Sequence, residues 1–457
     1  MEILEIVLTL VVLAAVIFAI AKKFNATTSL LCVGVITLII YALVTGKSVM
    51  GDSTSGSNII DVFELIKSKF AGNMSGTGLL IMSVMGFVKY MDHIKASKLL
   101  ALYASRPLKR LGKPYIAVAL GIIIGAVLKL CIPSHAGLTT LLMATLYPIF
   151  VASGVPVVTA ASAVVVAGCF DLGPACPITT WACAQEPVAA LTDVASFFVH
   201  YQLGRTAVMI AVTIVVFLII CRSADKKHPQ ENAQIGDTDP KSLGVPGFYA
   251  IFPVLPLVFV ILFSSMVPIG IKISVPAANF IGFLIAFVVN IIVCKGGKKQ
   301  AFNDTAEFWK GMGAAFTSVV ALIGAASVFS AAINCIGGTT ALMDSIGNSS
   351  LGGAIIVVAA ALINFLMAFM TGSGVASSYA VLPMLYPAVE ASGINLLIVV
   401  FAIVASGGLG RAISPVSGAV IIAGGASSTD VIEITKRTMI PVVCGFIAMV
   451  IMAVVAL

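Results

Sequence analysis

The chain has 457 residues, of which 60% are hydrophobic and only 10% carry a charge. This composition excludes an ordinary soluble globular protein and indicates an all-α polytopic membrane protein. The net charge of +7 is expected from basic loops on the cytoplasmic side of a membrane, so we predict membrane lipids as partners and no nucleic acid.

The first apolar segment covers residues 3–21 and is followed by Lys22 and Lys23. Acidic residues come before it, which reverses the charge order of a cleaved secretory signal, so we predict a retained span. A span needs about 20 mostly apolar residues. By this criterion, further spans are predicted at 27–45, 75–92, 204–221, 247–265, 277–294, 313–334 and 438–456.

Two regions combine a pair of apolar runs with a polar tip between them. Residues 114–152 contain the tip Pro-Ser-His-Ala-Gly at 133–137, and residues 353–390 contain the tip Thr-Gly-Ser-Gly at 371–374. We predict a re-entrant hairpin for each region, because irregular backbone at membrane depth must be buried in protein or line a wet cavity. Each hairpin precedes a helix, at 156–184 and 394–424. The glycines at 168–174 and 407–411 predict an interruption in these two helices.

These irregular regions repeat each other at an offset of about half the chain. Ser134 aligns with Ser373, and the pairs Tyr-Pro and Ser-Gly recur at the same distance. A period of this size is typical of duplicated transporter halves. We therefore predict two repeats of five spans and one hairpin each, at 1–222 and 246–457, joined by a cytoplasmic linker at 223–245.

The distribution of basic residues predicts that the two repeats are inverted. With both termini outside, 19 of the 26 Lys and Arg residues fall in inside segments and 5 in outside segments, as the positive-inside rule requires. Two amphipathic segments precede the hairpins. The basic segment 95–113 is expected along the inner surface, against anionic lipid, and segment 336–351 along the outer surface. A further amphipathic piece is expected at 59–70, within a polar insertion at 46–73.

Hairpin tips and broken helices expose helix ends near the middle of the bilayer. The N-terminal ends attract carboxylates, and the C-terminal ends offer carbonyls that can hold Na⁺. The polar groups around both tips and both breaks suit a small hydrophilic anion. The predicted substrate-binding residues are Ser134, His135, Thr179, Thr180, Ser373, Gly374, Arg411, Ser414 and Ser417. We also predict a candidate Na⁺ site near Ser134 and Ser373, and no other cofactor.

Three charged residues lie at membrane depth, where an ionisable side chain is a functional hypothesis by default. Arg411 either contacts a substrate carboxylate, serves as a mobile internal countercharge, pairs with Asp171, or bonds the free carbonyls of a broken helix. Lys129 either snorkels, pairs with Asp171, or occupies the place of a coupling cation. Asp171 is a candidate for ion pairing, for Na⁺ binding or for carrying a proton. His135 either bonds the substrate, senses pH, or caps a helix end.

Several motifs of the second half resemble a known family. They are Thr-Gly-Ser-Gly at 371–374, Ala-Ser-Gly-Ile-Asn at 391–395, Leu-Gly-Arg at 409–411, Ser-Pro-Val-Ser-Gly at 414–418 and Lys-Arg-Thr at 436–438. With Met-Ala-Thr-Leu at 143–146, they resemble the DcuC-type anaerobic dicarboxylate carriers of the ion transporter superfamily. The first half differs from that pattern at Lys129, His135 and Asp171.

The resemblance implies a scaffold that dimerises and a mobile transport domain that moves as an elevator. We assign 1–113 and 246–351 to the scaffold, and in each repeat the hairpin, the broken helix and a last span, 204–221 or 438–456, follow it. The resemblance also implies succinate, fumarate and malate as substrates. We therefore expect a secondary transporter of the bacterial inner membrane, coupled to Na⁺ or H⁺ or acting by exchange. The alternatives are a carrier of amino acids or other small carboxylates, a Na⁺/H⁺ antiporter, a channel and a membrane enzyme. Neither a P-loop nor a nucleophile elbow appears, so we predict no enzymatic activity.

Overall fold

The computed structural model describes residues 24–106, 108, 113–227, 243–263, 270–293, 297–337 and 352–457, with scattered positions between 7 and 22. Throughout these ranges the regular secondary structure is helical, which agrees with the predicted fold class. Six helices of the described part are long and apolar enough to cross a membrane, and further apolar helices are shorter. The chain is therefore a multi-span membrane protein.

The first half begins with helical turns among the described positions between 7 and 19. Its helices are then α1 (Ala26–Thr45), α2 (Asn58–Asn73), α3 (Leu79–His93), α4 (Ala96–Ser105), α5 (Pro114–Leu128), α6 (His135–Thr145), α7 (Tyr147–Ala152), α8 (Val157–Ala167), α9 (Pro177–Ala184), α10 (Glu186–Ala189), α11 (Val194–Phe197) and α12 (Gly204–Lys227). Helix α12 extends into the predicted linker, whose residues 228–242 lie outside the described ranges.

The second half begins with the apolar helix Gly247–Leu262, which agrees with the helix predicted at 247–265. Its first part, Gly247–Val254, is a 3-10 helix, because Pro253 and Pro256 remove backbone donors from this segment. The helices that follow are α13 (Leu255–Leu262), α14 (Val275–Val293), α15 (Gly297–Asp304), α16 (Ala306–Ala315), α17 (Ala321–Ile336), α18 (Gly352–Thr371), α19 (Gly374–Ser392), α20 (Leu396–Ala412), α21 (Gly418–Ser427) and α22 (Val431–Val455). Most of the predicted amphipathic segment 336–351 lies outside the described residues.

In each half a π-helical segment divides one long helix, and the first half has a further one, Phe198–Leu203, which joins α11 to α12. Met74–Gly78 joins α2 to α3, and Phe316–Val320 joins α16 to α17. The predicted piece 59–70 and span 75–92 are therefore parts of one continuous helix. The two long helices run antiparallel, with α3 against α16 and α2 against α17. Glycines permit this crossing, since a methyl group at Gly311 would lie 2.7 Å from the Met85 carbonyl oxygen.

Each predicted hairpin region consists of helices joined at the polar tip, α5 and α6–α7 in the first and α18 and α19 in the second. Their re-entrant course in a membrane stays a prediction. The helix after each hairpin is broken. In the first half α8 and α9 are separated by residues 168–176, as expected. In the second half the chain remains helical through Arg411, and the break falls at residues 413–417.

The predicted interruption at 407–411 is therefore wrong in position. Its glycines allow close packing rather than ending the helix. A methyl group at Gly408 would clash with the carbonyl oxygen of Cys169, and one at Gly410 would clash with that of Phe365. The helix instead ends before Ser414-Pro415, because the residue preceding a proline disfavours the α conformation.

The helices form two groups that meet along one boundary. One group contains α1–α3 and α13–α17, and its aromatic core includes Tyr90, Phe283 and Phe308. The other contains both hairpins, both broken helices, α12 and α22, with α8 and α20 buried along almost their whole lengths. Helices α9 and α19 of the second group contact α3 and α17 of the first.

A buried polar cluster ties four helices together at one end of the second group. Asp225 of α12 lies 2.6 Å from the Arg437 guanidinium of α22. The same carboxylate accepts hydrogen bonds from the hydroxyl groups of Thr159, at 2.8 Å, and Tyr115, at 3.0 Å. Because every partner of the buried carboxylate is a donor, its charge is compensated within the cluster.

Candidate functional site

A cavity of about 190 Å³ lies where the two groups of helices meet. Both hairpin tips and both helix breaks contribute to its wall. The second hairpin supplies Gly372, Ser373 and Val375, and the first group of helices supplies Met85 and Val319. The remaining lining residues are Pro133, Ser134, His135, Ala136, Asp171, Cys176, Pro177, Ile178, Arg411, Ser417, Gly418 and Ala419.

Four helix N-termini converge on this cavity. Helix α6 begins there at His135, α9 at Pro177, α19 at Gly374 and α21 at Gly418. The first-turn N–H groups of a helix have no intrahelical partner, and the helix dipole places partial positive charge at that end. Four such ends around one small space create an environment that stabilises an anion.

The two hairpin tips are capped in the same way. Ser134 Oγ accepts a hydrogen bond from the N–H of Gly137 at 3.1 Å, and Ser373 Oγ accepts one from Ala376 at 3.2 Å. No side-chain cap is formed at Cys176 or Ser417, the residues that precede α9 and α21. The tips therefore have internally satisfied ends, whereas the breaks leave more donor capacity for a ligand.

The three charged residues at membrane depth form one ion-pair cluster. Asp171 Oδ1 lies 2.6 Å from Arg411 Nη2 and 3.3 Å from Lys129 Nζ. Lys129 is 1% exposed and also donates a hydrogen bond to the Pro133 carbonyl oxygen. With two cations and one carboxylate, the cluster has a net charge of +1. This excess favours an anionic ligand, because an isolated charge is costly in a low-dielectric interior.

Two atoms of this cluster have no hydrogen-bond partner among the described residues. They are Asp171 Oδ2 and Arg411 Nε, and both are buried. Buried polar atoms are normally paired, so an unpaired one indicates a ligand, a water or a changing partner. Since Arg411 lines the cavity and can donate more than one hydrogen bond, it can bind a carboxylate while keeping its bond to Asp171.

His135 is the first residue of α6 and is 5% exposed. Its Nε2 lies 2.9 Å from the carbonyl oxygen of Val165 in α8. The Nδ1 atom is buried without a hydrogen-bond partner in the described part of the chain. The ring therefore has one edge fixed against α8 and one nitrogen that is still available for hydrogen bonding.

Six of the predicted substrate-binding residues lie on or next to the cavity. Ser134, His135, Ser373, Arg411 and Ser417 line it. Gly374 is the first residue of α19 and follows the lining residue Ser373. A side chain at Gly374 would clash with the carbonyl oxygen of Gly407.

The other three, Thr179, Thr180 and Ser414, are fully buried and do not line the cavity. Thr179 accepts a hydrogen bond from Gln202 at 2.9 Å, and Thr180 donates one to the Pro174 carbonyl oxygen at 2.8 Å. Their predicted role in substrate binding stays a prediction.

Sequence reasoning did not select Met85, Val319, Cys176 or Pro177 as site residues. Met85 and Val319 lie on the two long helices that contain the π-helical segments. An apolar side chain within a predicted span does not indicate a functional site. The position of Pro177 was detectable, because proline is favoured in the first turn of a helix and the residues around it were expected to interrupt a span.

The chain is similar to one family over nearly its whole length. The family model described as C4-dicarboxylate anaerobic carrier, DcuC, matches residues 4–457. A probable anaerobic C4-dicarboxylate transporter DcuC of Vibrio cholerae is 29% identical over 456 residues, covering 98% of this chain and 97% of that protein. The anaerobic C4-dicarboxylate transporter DcuC of Escherichia coli K12 is 29% identical over 458 residues, with coverages of 98% and 96%.

Two solved structures share the fold. MtrF of Neisseria gonorrhoeae, reported to illuminate a class of antimetabolite efflux pumps, aligns over 96% of both chains with a TM-score of 0.60 and 15% identity. The YdaH transporter of Alcanivorax borkumensis, reported to have an unusual topology, aligns over 94% of this chain and 97% of that chain. Its TM-score is 0.57 and its identity 13%. At these identities the likeness concerns the fold alone.

Proposed function

Because this chain belongs to the DcuC family of anaerobic C4-dicarboxylate carriers, we propose that it is a secondary active transporter of C4-dicarboxylates such as succinate, fumarate and malate. The family and its relatives are transporters, so the chain is not an enzyme. The observation that carries the choice of substrate class is the convergence of four helix N-termini on a cavity of about 190 Å³ that also contains Arg411.

The geometry supports recognition of two carboxylates rather than one. One carboxylate would accept hydrogen bonds from Arg411, whose Nε has no partner in the described part of the structure. The other would accept from the helix end that begins at Gly418, which lines the cavity and has no side-chain cap. Charge-assisted bonds of this kind are about twice as strong as neutral ones, which favours an anion over an uncharged solute.

We propose that transport occurs by an elevator motion between two inverted repeats. The equivalent caps at Ser134 and Ser373 support the repeat, as do the π-helical segments that divide one long helix in each half. The boundary between the two groups of helices supports the motion. The cavity lies mostly within one group, and among the described residues Met85 and Val319 are the two of the other group that line it.

The coupling ion is proposed from the chemistry of the first tip. There the Lys129 ammonium already donates a hydrogen bond to the Pro133 carbonyl oxygen and forms an ion pair with the Asp171 carboxylate. A bound Na⁺ would compete with this fixed cation, so the contacts favour H⁺ coupling or exchange over Na⁺ at the Ser134 tip. A Na⁺ site near Ser373 stays a prediction.

The proposed assembly is a homodimer in the bacterial inner membrane with both termini outside. Bacterial relatives that cover nearly the whole chain support the location, and the predicted charge bias of the loops supports the orientation. Cross-linking in native membranes tests the dimer, and labelling of cysteines introduced near each terminus tests the orientation.

Counterflow in proteoliposomes tests the proposed function. Labelled succinate should enter vesicles preloaded with succinate, fumarate or malate, and the initial rate should saturate. Replacing Na⁺ with choline, at two pH values, identifies the coupling ion. A rate that never saturates would indicate a channel. Exchange driven only by amino acids or monocarboxylates would reject the C4-dicarboxylate assignment.

A further inference from the structure

We propose that the protein binds its substrate as the monoprotonated dicarboxylate, with His135 Nδ1 accepting a hydrogen bond from the protonated carboxyl group. This inference rests on the proposed function and specifies the form of the substrate. The observation behind it is a histidine at the wall of an anion-binding cavity that has one nitrogen bonded and one nitrogen without a partner.

The hydrogen bond to Val165 fixes which nitrogen carries the proton. A backbone carbonyl oxygen only accepts, so the Nε2 atom 2.9 Å away must be the donor. In the neutral ring, Nδ1 is then an acceptor with no hydrogen of its own. A charged ring would instead bury an unpaired Nδ1–H donor, which adds the cost of an unsatisfied donor to that of a buried charge.

The orientation of the ring directs Nδ1 away from α8. A methyl group at Gly168 would lie 2.7 Å from His135 Cδ2 and 3.3 Å from Nε2, so this edge of the ring packs against the end of α8. Nδ1 belongs to the opposite edge. His135 also lines the cavity, and its buried Nδ1 is the side-chain polar atom that is left for a ligand to pair with.

The charged groups around His135 also favour the monoprotonated form of the substrate. The charged groups near His135 are Arg411 of α20, Lys129 at the end of α5, and Asp171 between α8 and α9, with a net charge of +1. A dianion would leave the buried site at −1, whereas a monoanion brings it to zero. Neutrality is favoured wherever charges are removed from water.

Because Nδ1 of the neutral His135 ring can only accept a hydrogen bond, it favours a ligand that donates one. A doubly ionised dicarboxylate presents only acceptor oxygens, so one of them facing Nδ1 would place two lone pairs together. The protonated carboxyl group supplies an O–H donor, which pairs Nδ1 and removes the unsatisfied atom. The proton then crosses with the substrate and is released when the carboxyl group ionises, so no side chain of the protein has to titrate.

Exchange measurements at equal pH on both sides of the vesicle membrane test this inference. With succinate expressed as its total concentration, KM should rise about tenfold per pH unit above neutral pH. The same KM expressed as the monoanion should stay constant. Above neutral pH succinamate always carries one negative charge and an N–H donor, so over that range it should compete with an inhibition constant that does not change with pH.

The matched variants are His135→Gln and His200→Gln. A glutamine amide can donate as well as accept, so His135→Gln should also accept the dianion, and its KM should rise less steeply with pH than that of the wild type. His200 is exposed and bonds the Ser196 carbonyl oxygen away from the cavity, so His200→Gln should keep the wild-type profile. Thermal unfolding of both variants confirms that they are folded.

The outcomes separate this inference from the proposed function. Saturable succinate exchange with a KM that does not change with pH would overturn the inference and leave the proposed function standing. A wild-type pH profile in folded His135→Gln would also overturn it. No saturable exchange at any pH, acidic pH included, would overturn the proposed function and this inference with it.

Discussion

Arg411 Nη2 lies 2.6 Å from Asp171 Oδ1, and this ion pair joins the two broken helices across 240 residues of sequence. Asp171 belongs to the break between α8 and α9, and Arg411 to the last turn of α20. The pair therefore holds together the walls that the two halves contribute to the cavity. Lys129, on the same carboxylate oxygen, connects this pair to the first hairpin.

Asp171→Asn should be far more destabilising than Lys129→Met. The first change leaves two buried cations without a carboxylate, and breaking a buried pair in this way costs about 3–5 kcal/mol. The second leaves the bond between Asp171 and Arg411 intact. The double variant Lys129→Met/Asp171→Asn restores a single cation, so it should recover much of the melting temperature that Asp171→Asn loses. Additive losses in the thermal unfolding of all three proteins would contradict the shared cluster.

Gly408→Ala should separate the broken helices and abolish transport. Its methyl group would clash with the Cys169 carbonyl oxygen and lie 3.0 Å from Asp171 Oδ2. Overpacking of this kind costs about 1–3 kcal/mol. The control is Gly425→Ala in α21, where no atom lies within 4 Å of the added methyl group. There the better helix propensity of alanine should stabilise the protein by about 0.5–1 kcal/mol. Unfolding and counterflow of both variants check this contrast.

Neighbouring residues of α22 should respond very differently to replacement by alanine. Arg437 bonds the buried Asp225 at 2.6 Å, so Arg437→Ala leaves a buried carboxylate without its cation and should cost about 3–5 kcal/mol. Lys436 pairs with Glu433 at 2.7 Å on an exposed surface, where water screens the pair and its contribution to stability is small. Equal melting temperatures for Arg437→Ala and Lys436→Ala would contradict the role of the polar cluster.

The polar insertion before α2 should lose stability in acid. Hydrogen bonds from Ser48, Ser55 and Thr54 hold the pKa of Asp61 well below its ordinary value of 3.8. The unfolded chain has the ordinary pKa, so the contribution of Asp61 to stability is present above that value and is lost as the pH falls below it. The protection factors of the amides of residues 48–58, which remove the intrinsic pH dependence of hydrogen exchange, should fall over this range in the wild type. In Asp61→Asn they should be lower at neutral pH and change little with acidification.

Much of the site could be predicted from sequence because its chemistry is unusual for a membrane interior. The polar or charged features that stand out among apolar residues are both tips, Asp171, Lys129 and Arg411. Each lies at the cavity or in the ion-pair cluster beside it. The offset between Ser134 and Ser373 also identified two residues that form the same cap.

The remaining features depend on tertiary packing. A glycine permits both a helix break and a close helix contact, so the series at 407–411 could not distinguish between them, and the break lies after Arg411. The π-helical segments and the lining residues Met85 and Val319 have no local signature. They follow from how the two long helices pack against each other.

Equilibrium binding of labelled succinate to the purified protein, compared between wild type, Arg411→Ala and Arg222→Ala, tests the central claim most directly. Arg222 is exposed and lies outside the cavity, so its replacement should leave binding unchanged. Loss of charge-assisted hydrogen bonds from Arg411 should weaken binding by about tenfold or more. Wild-type affinity in a folded Arg411→Ala protein would contradict the assignment of this cavity as the dicarboxylate site.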